Sequence, residues 1–159
     1  MIIKTDSLEI FKQNEYRQTD IGYVSNNAYL SIVATNKCQR NCFYCINSYT
    51  DKTLELPIDK AIKNIQKAVS KYHIKEAVIL GGEPLLHKDI ISLCEKVKQT
   101  GIQKLYLTTN GIKLVNNEAL IDGLSKYLTG INISFHNEDF ITFSDLVEIY
   151  DQFHIRGVK

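Results

Sequence analysis

Neither sign of charge is in excess. Nineteen Lys and Arg stand against eighteen Asp and Glu, a net of +1. That balance points away from nucleic acid, membrane surfaces and strongly acidic partners. Long apolar runs are also missing; none reaches the roughly 18 residues that mark a membrane span. The first residues, MIIKTDSLEIFKQ, carry charges where a secretion signal needs an apolar centre, so no targeting segment is expected and the chain is assigned to the cytoplasm. No low-complexity tract or Gly/Ser-rich linker divides it. With 159 residues, 44% apolar and 23% charged, it suits one globular domain with its own core. A G-x-G-x-x-G loop is absent, which argues against a plain dinucleotide-binding domain. Cysteine is scarce, with four in the whole chain. In a reducing compartment, clustered thiols argue for metal or redox chemistry, not disulfides.

What is present alternates between strand and helix. AYLSIVAT (28–35) is a β-rich apolar run, and EAVIL (76–80), KLYLTT (104–109) and INISF (131–135) are three more. Between them lie helical stripes. Pro57 to Tyr72 places Ile58, Ala61, Ile62, Ile65, Ala68, Val69 and Tyr72 on one face, with Pro57 suited to the first turn. A helix over about 87–99 turns Ile90, Ile91, Cys94 and Val97 inward and closes at Gly101; helices over about 117–128 and 144–153 follow. This order predicts parallel strands with helical crossovers, repeating about every 28 residues. A fifth strand is due near Gly157. Upstream, LEIFK and IGYV read as extended, and Ser25 to Asn27 is suited to turning a hairpin into the first core strand.

Four unusual segments each follow directly on a strand: CQRNCFYC (38–45), GGEPLL (81–86), TTNG (108–111) and SFHN (134–137). In a parallel sheet or barrel the carboxyl ends of the strands share one rim, where ligands bind. The cysteines stand at i, i+4 and i+7, which is also a helix spacing. Structural zinc would need a fourth ligand, and Cys94 lies mid-helix on an apolar stripe, where core packing is expected. An iron–sulfur cluster fits better, since thiolates are its usual ligands and three of them leave one metal position open. Gly81 and Gly82 allow close backbone approach to a ligand, and Glu83 offers a carboxylate to an ammonium group. Alternation along the strand sets Thr108 and Asn110 on one face and Thr109 on the other. Phe43 is expected to pack within its loop; Arg40 and Asn41 cap that loop or donate to sulfur. His87 is read as a helix-start residue, His136 and the helix-end His73 and His154 as structural or surface groups.

With C-x3-C-x2-C after the first strand and GGEP after the second, the chain resembles the radical S-adenosylmethionine (radical SAM) superfamily from about Ala28 onward. The resemblance implies a partial TIM barrel, here an incomplete one of four βα units out of six, on an α/β plan of parallel βα repeats. It implies that Cys38, Cys42 and Cys45 ligate a [4Fe–4S] cluster and that S-adenosylmethionine supplies the missing fourth ligand. Reduction then yields a 5′-deoxyadenosyl radical that takes hydrogen from a substrate. Tyr44 matches an aromatic set against adenine. Gly81, Gly82, Glu83, Thr108, Asn110 and Ser134 match positions that contact the cosubstrate, with Glu83 on the methionine ammonium. A low-potential donor of flavodoxin or ferredoxin type and a small-molecule or peptide substrate are implied as partners.

The motifs are most similar to the branch containing the molybdenum-cofactor enzyme that rearranges GTP and the peptide-modifying maturases. That GTP enzyme carries an arginine on the strand before GGEP, where this chain has Val78, and a second cysteine set not found here. Residues 1–27 are expected to form an extension and 28–159 the radical SAM core, a fragment of a longer domain. The competing expectation is a non-catalytic iron–sulfur or zinc-binding regulatory module on the same scaffold.

Overall fold

The computed structural model describes residues 16–19, 22–25, 29–45, 47, 50–135 and 140–159. The core is a four-stranded parallel sheet whose spatial order follows the chain: β3 (Tyr29–Val33), β4 (Glu76–Leu80), β5 (Lys104–Thr109) and β6 (Gly130–Ile133). Its register sets Val33 opposite Leu80, Ile79 opposite Leu107 and Thr109 opposite Ile133. Among the described residues four helices make the crossovers and the outer layer: α1 (Ile58–Tyr72), α2 (Ile90–Gln99), α3 (Glu118–Ser125) and α4 (Phe143–Ile155). A separate antiparallel pair, β1 (Tyr16–Thr19) and β2 (Gly22–Ser25), precedes them.

Period-2 alternation divides the sheet into two unlike faces. Ile32, Ala77, Ile79, Leu105 and Leu107 are buried. Ala61 and Ile65 of α1, Leu93, Cys94 and Val97 of α2, Ile121 and Leu124 of α3, and Ile149 and Phe153 of α4 complete that core. Cys94 is fully buried, and burial pushes its thiol up to about 12, so it serves as a small core hydrophobe. Tyr29, Ser31, Val78, Leu80, Tyr106, Thr108 and Asn132 alternate onto the opposite face and line an open groove of about 390 Å³.

Local chemistry moves some boundaries from their expected places. Pro84–Leu86 forms a short 3₁₀ turn, so α2 starts at Ile90, later than expected. The cause is Glu83, whose side chain accepts from the Leu85 amide and holds that tighter turn. Asn117 caps α3 by accepting from the Leu120 amide, and a reciprocal Thr142–Asp145 capping box starts α4. The hairpin also differs: β2 folds back on Tyr16–Thr19, not onto the first core strand. YRQT has no apolar alternation to mark it as a strand. LEIFK lies outside the described residues. At the other end, the Ile131 amide donates to the Lys159 carbonyl (2.8 Å) and the Lys159 amide to the Thr129 carbonyl (3.1 Å). Residues 158–159 thus run beside β6, where a fifth strand was expected.

Candidate metal and cofactor site

The loops leaving β3, β4, β5 and β6 emerge on one rim, and the backbone laces them together. Gly82 N–H donates to the Thr35 carbonyl and Glu83 N–H to the Lys37 carbonyl, both at 2.7 Å. Asn47, two residues beyond the last clustered cysteine, donates its side-chain amide to the Gly81 carbonyl at 2.9 Å. The cysteine loop is therefore sewn onto the GGEP loop on either side of the thiols. A Cβ on Gly82 would overlap the Lys37 carbonyl oxygen and lie 2.6 Å from that of Asn36; one on Gly81 would overlap the Thr35 carbonyl oxygen. The close approach that these glycines permit is thus first to the chain's own cysteine loop.

Glu83 was expected to offer its carboxylate to a ligand ammonium. Its geometry turns it inward instead. It is 1% exposed and accepts from the Thr109 hydroxyl (2.6 Å), the Asn110 amide (2.8 Å) and the Leu85 amide (3.1 Å). Two of these bonds, from Thr109 and Asn110, join the loops after β4 and β5, and the third caps the 3₁₀ turn of Glu83's own loop. The Gly111 amide donates in turn to the Thr109 hydroxyl, and Ser134 N–H to the Thr109 carbonyl. Thr109, the threonine not singled out for the site, is thus a structural hub, while Thr108 faces the open groove.

Burial raises the Glu83 carboxyl above its ordinary 4.5, opposed by the three hydrogen bonds it accepts. The folded chain holds this proton more tightly than the unfolded chain. The resulting stabilisation is complete below pH 4.5 and is lost as the pH rises through the folded value. Glu83→Gln should cost about 1–3 kcal/mol at neutral pH, because its NH₂ would face either the Asn110 or the Leu85 N–H. The variant does not titrate here, so wild type should gain on it as the pH falls toward 4.5. Urea unfolding across pH checks both; parallel pH profiles would contradict the assignment.

The three clustered cysteines are free thiols of intermediate exposure. Cys38 Sγ receives the Arg40 amide at 3.4 Å and faces the Asn110 side-chain amide at 4.0 Å. Its thiol is raised mainly by desolvation, eased by the Arg40 hydrogen bond and raised further by the charges of Glu83, Cys42 and Cys45. Cys42 and Cys45 are therefore close enough to oppose ionisation of Cys38, which a bound cationic metal centre would relieve. Among the described residues, no three His, Cys, Asp or Glu are placed to share one metal ion. Soft thiolates spread along a loop fit a cluster, in which each can ligate a different iron.

Tyr44 is 53% exposed at the thiol loop. Partial desolvation and a hydrogen bond with Cys42 raise its hydroxyl above the ordinary range. Phe43, expected to pack into the loop, is 97% exposed and meets Tyr44 edge-on at 4.9 Å. The Arg40 guanidinium lies 5.1 Å over the Phe140 ring, linking the thiol loop to the segment before α4. Ser134 sits at the end of β6 with intermediate exposure; His136 lies outside the described residues. His87, read as a helix-start residue, is 3% exposed; its Nε2 meets the Leu56 carbonyl (3.0 Å) and its Nδ1 accepts from the Asp89 amide (3.1 Å). Gln39, Asn47, Thr35 and Thr109 complete the rim; Gln39 and Thr109 lie within the motifs CQRNCFYC and TTNG, but no motif marked these four side chains as site residues. Their roles rest on contacts between loops far apart in the chain.

Comparison with known proteins agrees with this geometry. Residues 32–148 match the Radical SAM superfamily. A Methanocaldococcus jannaschii protein bearing the name "Probable GTP 3′,8-cyclase" is 41% identical over 88 residues, 55% of this chain and 30% of that protein. The GTP 3′,8-cyclase of Haemophilus influenzae is 30% identical over 125 residues, 76% of this chain and 36% of that protein. This chain therefore spans about a third of the length of those two relatives. Among solved structures, Streptococcus suis SuiB bound to precursor peptide SuiA superposes with a TM-score of 0.68 at 18% identity, covering 96% of this chain and 34% of SuiB. That likeness identifies the partial-barrel fold.

Proposed function

The chain belongs to the radical SAM superfamily, and from that premise we propose that Cys38, Cys42 and Cys45 hold a [4Fe–4S] cluster whose open iron takes S-adenosylmethionine. When both are bound, reductive cleavage supplies a 5′-deoxyadenosyl radical that abstracts hydrogen from the substrate. The observation that carries this reading is the lacing of the thiol loop to Gly82, Glu83 and Asn110 at one strand-end rim.

The chain's own residues hold and orient. Gly81 and Gly82 fix the thiol loop and leave backbone polar groups at the rim. Glu83 acts as a positioning residue, and its carboxylate keeps the β4 and β5 loops in register. Thr108 faces the groove, and Ser134 at the next strand end presents a hydroxyl to the methionine or ribose part of the cosubstrate. Tyr44, half-exposed beside Cys42, offers its ring to adenine. Residues 28–159 form this core and 1–27 the extension that carries the β1–β2 hairpin.

The substrate is a small molecule or a peptide. The open face presents hydroxyl, amide and aromatic groups from Ser31, Asn132, Thr108, Tyr29 and Tyr106. At its lower end Lys104 is paired with Glu76 at 2.7 Å. Val78 stands on this face, where the GTP-rearranging relatives were noted to carry an arginine. A neutral wall of this kind suits an uncharged polar substrate or a peptide better than a triphosphate. A flavodoxin- or ferredoxin-type donor provides the electron.

Electron paramagnetic resonance of the anaerobically reconstituted, dithionite-reduced chain tests the reading. Adding S-adenosylmethionine should shift the cluster signal. A reduced cluster indifferent to it, or zinc in place of iron, would return the non-catalytic module.

A further inference from the structure

Asn110 meets three elements at once. Its Oδ1 accepts from the Ile112 amide (3.2 Å) and from Gln39 Nε2 (3.3 Å). The Ile112 backbone N–H fixes which end of the side-chain amide is oxygen, since an amide turned over would set NH₂ against it, and Gln39 is oriented to match. The Nδ2 end is thereby aimed at Cys38 Sγ, 4.0 Å away. The backbone of Asn110 is pinned as well, by its N–H on buried Glu83. Asn110 is 8% exposed, so this donor is screened from water and confined to one direction.

We propose that Asn110 is a positioning and tuning residue: held by Gln39 and Ile112, its side-chain N–H donates to the Cys38 sulfur and raises the reduction potential of the cluster that this sulfur ligates. The inference rests on the cluster assignment above. A donor to a ligating thiolate withdraws charge from sulfur and stabilises the more electron-rich, reduced cluster. The role expected of Arg40 and Asn41 is thus divided. Arg40 contributes its backbone N–H to the same sulfur, and the side-chain donor comes from a residue 72 positions away. Gln39, between the first two cysteines, becomes the residue that keeps this donor aligned.

Asn110→Asp keeps the oxygen that accepts from Ile112 and Gln39 and replaces the N–H donor by an acceptor. Because it also adds a negative charge near Cys38, the uncharged Asn110→Leu, which removes the donor at similar volume, is measured beside it. The reconstituted chains are compared by redox titration of the visible and paramagnetic signals, beside iron content and circular dichroism. The expected result is a lower midpoint potential in both Asn110 variants and a smaller shift in the same direction in Gln39→Ala, with iron content retained. A retained cluster with unchanged midpoint in Asn110→Leu would overturn the proposal, even if Asn110→Asp shifts through its charge. If Asn110→Leu loads no iron, alkylation of its apo chain by iodoacetamide, read by peptide mass spectrometry, replaces the titration. Cys38 should then react several-fold more slowly relative to Cys42 than in wild type, and an unchanged ratio would overturn the proposal. A wild-type chain that binds no cluster would overturn the earlier assignment instead, whatever the variants do.

Discussion

Replacing Cys38, Cys42 and Cys45 together by alanine should abolish iron binding while leaving the fold in place. Wild type reconstituted without oxygen should hold about four irons per chain, and the triple variant close to none. The fold should persist because these side chains lie on a rim loop, half-exposed, and contribute little to the core under α1–α4. Circular dichroism and urea unfolding of the apo proteins should therefore nearly coincide. Cys94→Ala gives the reverse pattern. It sits in the core at 0% exposure, so its loss should cost about 1 kcal/mol of stability and no iron. Iron retained by the triple variant would dismiss the cluster site.

Gly82→Ala is the second large effect, and here stability and metal binding should fail together. A methyl group at this position has nowhere to go. It would overlap the Lys37 carbonyl oxygen and press on that of Asn36, both of them backbone and neither able to rotate aside. Relief requires the thiol loop to lift from the GGEP loop, which breaks Gly82 N–H to Thr35 and Glu83 N–H to Lys37. The expected cost is about 3 kcal/mol, at the upper end for overpacking because the obstacle is main chain. Urea midpoints measure it, and iron content after reconstitution should fall with them. A variant with wild-type midpoint and full iron would show that the two loops do not depend on this contact.

Much of the fold could be read from periodicity, because the strands are apolar in runs and the helices carry one-sided stripes. β4 and β5 lie where the runs EAVIL and KLYLTT place them. What escaped was set by interactions that no window of sequence contains. The start of α2 shifted because Glu83 caps a 3₁₀ turn, and β1 went unseen because YRQT is short and has no apolar alternation. At the rim, motifs named the segments but not the direction of each side chain. Glu83 reads as a surface carboxylate until Thr109 and Asn110 are seen to enclose it. Gln39 and Asn47 read as loop filler until their partners arrive from the strands beside them. A histidine after GGEPLL shows nothing of the Leu56 carbonyl that it meets.

The division of the sheet into two unlike faces has an evolutionary consequence. Residues pointing toward the helices are committed to cohesion, and those at the strand tips to the loops of the proposed cluster site. Ser31, Val78, Tyr106 and Asn132 belong to neither group. They can be exchanged with little penalty to folding or metal retention, and they border the space a reactant would enter. Lineages built on this scaffold are therefore free to explore new reactants through a handful of wall positions while the radical-generating machinery stays untouched, and a designer seeking altered selectivity would begin at the same places.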